Sequence, residues 1–294
     1  MIIREGAEPD VAACNEVWAS TQVGLGAEPL PPQPLAAHEL RTGRLVVAEI
    51  DGSIAGFGAT LTRSGVLYLA DLFVAPQHQS RGVGRQLTHA LCGRHRGPLF
   101  TFSSADRRAR LLYEQFDMRA VEPYHYLEGC VDTLRPWGTD VELFEASGAE
   151  MLALDGDLTR RDRAVDIAYA SDLGVTWHLA FRRRVCVGAV ATVAPTWWNP
   201  WHPRAARLGP VMAHDPADIS AIVSAALSVT LSTADVTSAD GVRPDVVSFF
   251  VPSGLNALPA LLGAGFEIVD TDQLRASDET IIDRSRYLPL VDTP

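Results

Sequence analysis

The stretch PQHQSRGVGRQL, residues 76–87, decides the fold of the first half of the chain. It follows an apolar run typical of a strand, VLYLADLFV at residues 66–74, and it leads into a run with helical spacing. Its glycines remove the side chains that would keep a ligand away from the backbone. The first N–H groups of the following helix have no acceptors inside that helix, and the helix dipole adds positive charge there. The stretch therefore predicts a site for a phosphate or a pyrophosphate.

The spacing of this turn excludes two common phosphate-binding motifs. G-x-x-x-x-G-K-[ST] is absent, and so is G-x-G-x-x-G with its acidic residue for the ribose. The sequence instead has Gln79-x-x-Gly82-x-Gly84. This pattern resembles the Q/R-x-x-G-x-G/A signature of the GCN5-related N-acetyltransferases (GNAT family), which bind the pyrophosphate of acetyl-CoA. The resemblance extends from Arg44 to about Glu128.

A second run in the same half strengthens the resemblance. DRRARLLYEQFDM, residues 106–118, is similar to the family's N-x-x-A-x-x-x-Y-E-x-x-G-F. Ala109, Tyr113 and Glu114 match this signature. Asp106 replaces the Asn, and the final Asp-Met pair replaces Gly-Phe.

The resemblance implies an α+β (mixed α/β) fold. We expect two tandem GNAT-like acyl-CoA N-acyltransferase domains, each a mixed, mostly antiparallel sheet flanked by helices, because the second half repeats the element order of the first. The predicted domains are residues 1–134, which bind acetyl-CoA, and residues 140–294, whose cofactor site is degenerate. Asp215 and Pro216 replace the glycine turn in the second half. The carboxylate would occupy the helix amides that a pyrophosphate needs, and proline lacks an N–H.

Two residues are the candidates for catalysis. In this family a Tyr at the position of Tyr113 donates a proton to the departing CoA thiolate. The transfer is roughly matched in energy, because a phenol has a pKa of about 10 and a thiol one of about 8.5. In several relatives the base is a Glu immediately before the Asp of this strand. Here that position is Ala70, and Asp71 remains as the candidate base. Other candidates for the base are Glu28, Glu39, His38, His125 and bulk water.

The resemblance also implies which residues bind acetyl-CoA as a co-substrate. The end of the strand would line the pantetheine arm and hold the acetyl carbonyl, and the turn would bind the pyrophosphate. The implied cofactor-binding residues are Leu72, Phe73, Val74, Gln79, Ser80, Arg81, Gly82, Val83, Gly84, Arg85, Asp106 and Ala109. We expect no metal, because the four cysteines lie far apart without a CxxC pair.

Composition limits the partners and the compartment. The chain of 294 residues has a net charge of −11, which disfavours nucleic acid. No segment is long and apolar enough to span a bilayer, and the N-terminus lacks a signal-peptide core, so we expect a cytoplasmic protein with no membrane partner. The acceptor is expected to be a small-molecule amine; aminoglycoside, polyamine, amino acid and peptide N-terminus stay open, as do monomer and homodimer.

The tryptophan-rich loop at residues 197–202 is expected to pack in a core or between domains, or to contact substrate.

The function predicted from the sequence is an acetyl-CoA-dependent N-acetyltransferase that acts on the amine of a small molecule. The alternative is a catalytically inactive acyl-CoA-binding sensor or interaction protein. Ala70 and the altered ending at residues 117–118 favour the alternative, whereas Tyr113 argues against it. A hydrolase is disfavoured because neither G-x-S-x-G nor H-E-x-x-H occurs.

Overall fold

The computed structural model describes residues 1–22, 35–104, 106–194, 204–234 and 243–290. The chain forms two compact units. Unit 1 consists of Met1–Val121 and Leu274–Glu279, and unit 2 consists of Glu122–Gln273 and Thr280–Pro294. Unit 1 thus takes in a short segment that is distant in sequence from the rest of it. The domains predicted from the sequence, 1–134 and 140–294, stay a prediction.

Unit 1 alternates strands and helices. Its elements are β1 (Ile2–Glu5), α1 (Asp10–Thr21), α2 (Leu35–Thr42), β2 (Arg44–Ile50), β3 (Ser53–Arg63), β4 (Val66–Val74), α3 (Val83–Cys92), β5 (Leu99–Ser103) and α4 (Arg107–Tyr113). Strand β6 (Arg119–Cys130) begins in unit 1 and continues into unit 2.

The sheet of unit 1 is antiparallel from β1 to β4, and β5 joins β4 in parallel. Two tight hairpins connect β2, β3 and β4. They close at Asp51–Gly52 and Ser64–Gly65, whose φ angles are all positive. Glycine adopts such angles without a steric penalty, which is why an Asp-Gly pair predicts a hairpin. The Asp-Gly pair at residues 51 and 52 forms such a hairpin between β2 and β3.

The two faces of this sheet pack against different helices. On one face Leu69 packs against Leu87 of α3, and on the other Phe57 packs with Trp18 of α1; all four side chains are buried. Successive strand residues point to opposite faces, so strands buried on both sides read as nearly continuous apolar runs. Each such side chain stabilises the fold by roughly 1.5–3 kcal/mol.

Unit 2 repeats the order of unit 1. Its elements are β7 (Glu142–Ala146), α5 (Gly148–Thr159), α6 (Ala164–Asp172), β8 (Val175–Arg182), β9 (Val185–Val193), β10 (Ala205–Ala213), α7 (Ile219–Ala234), β11 (Val246–Pro252), α8 (Leu258–Gly263), β12 (Glu267–Ala276) and β13 (Tyr287–Leu288). The last residues of β12 belong to unit 1.

The sheet of unit 2 is antiparallel from β7 to β10, and β11 joins β10 in parallel. Strand β6 pairs antiparallel with the other side of β11. The short strand β13 pairs with β10. No helix within the described ranges has the length and the apolar character needed to cross a bilayer.

The cysteines are expected to differ in reactivity. Cys14 and Cys92 are buried, and burial raises the pKa of each thiol to about 12, whereas Cys130 is exposed. Because the thiolate is the reactive form, a thiol reagent at pH 8 should label Cys130 in the native protein and reach Cys14 and Cys92 only in denaturant. Mass mapping of the labelled sites checks this order, and rapid native labelling of Cys14 would contradict it.

Candidate active site

The turn between β4 and α3 presents backbone donors. Gly82 caps α3 with a φ of +83°, and it has no side chain that could accept from the first amides. The first bond of the helix joins the Gln86 amide to the Gly82 carbonyl at 3.1 Å. The N–H groups of Val83, Gly84 and Arg85 therefore have no acceptor within the helix. They form one cluster of donors at the positive end of the helix dipole.

The two glycines of the turn differ in what the structure around them requires. An added Cβ at Gly82 would meet nothing within 4 Å, so the positive φ is what favours glycine there. An added Cβ at Gly84 would lie 3.8 Å from Val74 and 3.9 Å from Leu112, which is ordinary contact. The packing of the protein itself therefore does not demand glycine at residue 84. A ligand lying against the backbone would.

Gln79 links the turn to its surroundings. Its Nε2 donates to the carbonyl of Val74 at 3.1 Å, and its Oε1 accepts from Nη1 of Arg108 at 3.2 Å. The same Nη1 lies 3.5 Å from Oγ of Ser80, which has a φ of 61°. An arginine of α4 is thus tied to the turn between β4 and α3. The predicted residues Arg81 and Arg85 flank this turn, and both are exposed.

Asp106 acts as the cap of α4. Its Oδ1 accepts from the amide of Arg108 at 2.7 Å, and its Oδ2 pairs with Nη2 of Arg108 at 2.6 Å. These bonds from Arg108 hold the pKa of Asp106 below its ordinary value. The carboxylate is therefore ionised and oriented by Arg108. Ala109 is partly buried against the core of unit 1.

Strands β4 and β5 separate along their length. They pair only at residues 67–68 with 99–100. Farther along, Oγ1 of Thr101 rather than a backbone group bonds the carbonyl of Leu69, at 2.8 Å. Residues 72–74 pair with β3 on their other side, and no described strand pairs with them on the β5 side. This edge, next to the turn between β4 and α3, thus lacks a neighbouring strand among the described residues, and the Val74 carbonyl there accepts from Gln79.

A bulge in β4 determines which face Asp71 occupies. Ala59 and Thr60 of β3 are opposite Asp71 and Leu69, so Ala70 is the extra residue. Asp71 is buried, and its charge contributes to the raised pKa of Cys14, after burial and Asp10. Asp71 therefore lies near α1, on the face of the sheet opposite Leu69.

The other candidate bases are not all in one place. His38 and Glu39 are buried on α2, and the Glu39 charge also contributes to the raised pKa of Cys14. His125 belongs to unit 2, where its Nδ1 lies 2.9 Å from Oγ1 of Thr271. Glu28 and the loop at 197–202 lie outside the described residues. Within the described ranges no cluster of His, Cys, Asp and Glu is arranged to hold a metal ion.

Tyr113 ends α4 and is buried in the same core as Leu69. Its carbonyl accepts from the amide of Met118 at 3.2 Å, which fixes the end of the helix. Tyr113 and Asp71 therefore approach the sheet from opposite faces. The structure does not bring them together on one face.

Arg275 is a residue near Tyr113 that the sequence did not indicate. It is buried in the segment 274–279 of unit 1, and its Nε donates to Oγ of Ser103 at 3.0 Å. Burial lowers the pKa of Arg275, while Glu114 and Tyr113 act in the opposite direction. Arg110 of α4 lowers the pKa of Arg275 further, so Arg275 lies in the same part of unit 1 as the end of α4. No local motif around residue 275 predicts this proximity.

The equivalent turn of unit 2 is closed by its own side chain. Oδ1 of Asp215 accepts from the amide of Ala217 at 2.8 Å and caps a 3-10 turn, Pro216–Asp218, that precedes α7. The amide that a phosphate would need thus has a partner already. The loss of cofactor binding in this half stays a prediction.

The sequence of the first half matches a known family. A family model described as Acetyltransferase (GNAT) domain matches residues 41–117, which include the turn and Tyr113. No curated protein matches the sequence.

Solved structures resemble the whole chain. A candidate acetyltransferase of Pyrococcus horikoshii has a TM-score of 0.72 at 15% identity, over 100% of this chain and 95% of its own. A tandem GNAT protein from the clavulanic acid biosynthesis pathway has a TM-score of 0.62 at 14% identity, and the match covers 95% of this chain and 98% of that protein. A GCN5-related N-acetyltransferase of Sphaerobacter thermophilus has a TM-score of 0.57 at 18% identity, and the match covers 99% of this chain and 98% of that protein. These likenesses show the fold, and the predicted tandem arrangement of mixed, mostly antiparallel sheets is confirmed.

Proposed function

We propose that this chain transfers an acetyl group from acetyl-CoA to the amine of a small molecule. The proposal starts from the GNAT acetyltransferase domain at residues 41–117, which makes the chain an acyltransferase of that family. One observation carries the proposal. Gly82 opens a row of backbone donors after a strand whose outer edge, residues 72–74, pairs with no other described strand. A pyrophosphate at the donors and an extended arm along that edge would satisfy both.

The residues of unit 1 suit the two ends of such a ligand. The amides of residues 83–85 would hold the pyrophosphate, and Arg81, Arg85 and Arg108 would add positive charge around it. The outward backbone groups of residues 72–74, which no described strand bonds, would bond the amide groups of the arm as a neighbouring strand does. The side chains of Leu72 and Val74, partly buried against the α3 core, would line the arm.

The proposed chemistry needs one acid and one base. Bound acetyl-CoA supplies a thioester whose acyl group an amine can take. The Tyr113 hydroxyl would hold the proton that the departing sulfur receives when the carbon–sulfur bond breaks. Asp71, or a water molecule, would take the proton that the amine loses as the carbon–nitrogen bond forms.

Two measurements test the proposal. Titration calorimetry with acetyl-CoA asks whether the protein binds the co-substrate. Chromatographic detection of CoA then follows turnover with a panel of amines: a polyamine, an aminoglycoside, free amino acids and a short peptide. Acetyl-CoA binding with CoA release for one amine class supports the proposal. Binding without release for any amine would favour the sensor, and failure to bind at high micromolar acetyl-CoA would refute both.

Arg108 is expected to contribute to cofactor affinity. Its guanidinium touches Gln79 and Ser80 of the phosphate turn and is exposed. Arg108→Ala should raise the Kd for acetyl-CoA about three- to tenfold at low salt, and the difference should shrink as salt screens the charge. The matched control is Arg96→Ala, an exposed arginine that bonds only carbonyls of its own loop. Equal Kd values for the two variants would remove Arg108 from the site.

A further inference from the structure

The C-terminal strand of the chain covers one edge of β10 in unit 2. The pairing is antiparallel and joins Leu288 to Val211 and Tyr287 to Met212. The pairing continues one residue farther, where the amide of Ala213 donates to the carbonyl of Arg286 at 2.9 Å. The last part of β10 therefore has an extended peptide as its neighbour.

The covered edge corresponds to the outer edge of β4 in unit 1. Strands β10 and β11 are parallel and pair only over residues 205–208 with 246–249, as β4 and β5 pair only at 67–68. In both units a helix follows the first strand of the pair, α7 in one and α3 in the other. Residues 211–213 of β10 are thus the counterparts of residues 72–74 of β4. In unit 1 no described strand pairs there, and in unit 2 β13 does.

The tail is held by side chains as well as by backbone bonds. Tyr287 and Leu288 are fully buried, and Leu288 belongs to the main core of unit 2. The Tyr287 hydroxyl accepts from Arg163, whose guanidinium lies 5.7 Å from the ring centre and pairs with Asp155 at 2.8 Å. These are buried, charge-assisted contacts, which are stronger than exposed ones.

A glycine of β10 lies against the tail. Gly209 has a φ of +117°, and a Cβ there would lie 3.5 Å from the carbonyl oxygen of Pro289. The backbone of the tail thus passes directly over the backbone of β10. Leu290 beyond it is also buried.

We propose that unit 2 has a strand-binding groove along residues 211–213 and that residues 286–290 of the same chain are its ligand. The tail occupies the edge along which the arm of an acyl-CoA would lie, so unit 2 takes up none and the protein binds one acyl-CoA per chain. The count of one bound acyl-CoA per chain rests on the proposed function of unit 1, whereas the groove and its peptide ligand do not.

The test is an exchange experiment on the full chain. A protease recognition sequence is inserted between Glu279 and Thr280, both exposed, and the folded protein is cut there. We expect the 280–294 fragment to stay bound in gel filtration and to exchange with a fluorescent synthetic peptide of the same sequence, one per chain. Tyr287→Phe in a competitor peptide should weaken competition about tenfold or more, because the bond from buried Arg163 is lost. Ser285→Ala, which changes an exposed residue, should compete like the parent peptide.

Other results would overturn the proposal. It is wrong if the cut protein keeps its circular dichroism, loses the fragment and takes up no peptide. If cutting unfolds the protein, hydrogen exchange of the intact chain decides: amides of residues 287, 288 and 290 that exchange within seconds, while β10 stays protected, refute it. Calorimetry with acetyl-CoA separates the two claims, since two sites per chain contradict the closed groove, and no site contradicts the proposed function alone.

Discussion

We expect Gly82→Asp to weaken acetyl-CoA binding at least about a hundredfold while the protein stays folded. A side chain at residue 82 meets nothing within 4 Å, so only the positive φ is unfavourable, at roughly 1–2 kcal/mol. The new carboxylate can accept from the amides of residues 83–85, as Asp215 accepts from Ala217 in unit 2. It also repels a pyrophosphate, and a repulsion of about 4 kcal/mol between unit charges 4 Å apart exceeds a hundredfold. Calorimetry measures the loss, and thermal unfolding shows the fold.

Gly52→Asp is the matched control for this variant. Gly52 lies in the hairpin between β2 and β3, has a φ of +79°, and also has no atom within 4 Å of an added Cβ. The substitution therefore adds the same charge at a similar backbone conformation. Its Kd for acetyl-CoA should equal that of the original protein. An equal loss in both variants, or no loss at Gly82, would contradict a phosphate site at this turn.

Local signals were enough to predict most of unit 1. The Asp51–Gly52 pair is typical of the hairpin it forms, and the glycine turn predicted the strand end at Val74 and the helix after it. Each of these features depends on φ preferences or hydrogen bonding of residues adjacent in sequence. The bulge at Ala70 was not predicted, because it is defined by the register of β4 against β3. The position of Asp71 depends on that register.

Features that depend on distant residues were not predictable. Arg275 reaches the neighbourhood of Tyr113 because residues 274–279 lie along β5, where the Ser277 amide bonds the Leu99 carbonyl at 2.9 Å. No short motif encodes a pairing between residues so far apart in sequence. The same holds for the tail at residues 286–290, which has no glycine turn or signature to mark its partner strand. Arg108 was missed for another reason: its contacts with the turn depend on how α4 approaches α3.

We expect Tyr113→Phe to lower kcat about a hundredfold or more and to leave the Kd for acetyl-CoA within about twofold. Phenylalanine keeps the buried ring in its core with Leu69 and Met118 and removes only the hydroxyl. The departing sulfur then has no acid, while the donors of residues 83–85 are unchanged. Steady-state kinetics with the best amine of the panel, beside calorimetry, measures the two effects separately.

Tyr126→Phe makes the same chemical change at a different place. The Tyr126 hydroxyl donates to Asp272 at 3.0 Å within unit 2, so its loss should leave kcat as it is. If both variants lost the same activity, the cause would be stability and not proton transfer. If Tyr113→Phe kept full kcat, water or another group would protonate the leaving sulfur. A selective loss in Tyr113→Phe is the one result that requires an acid at the end of α4, because binding and folding are then the same in all three proteins.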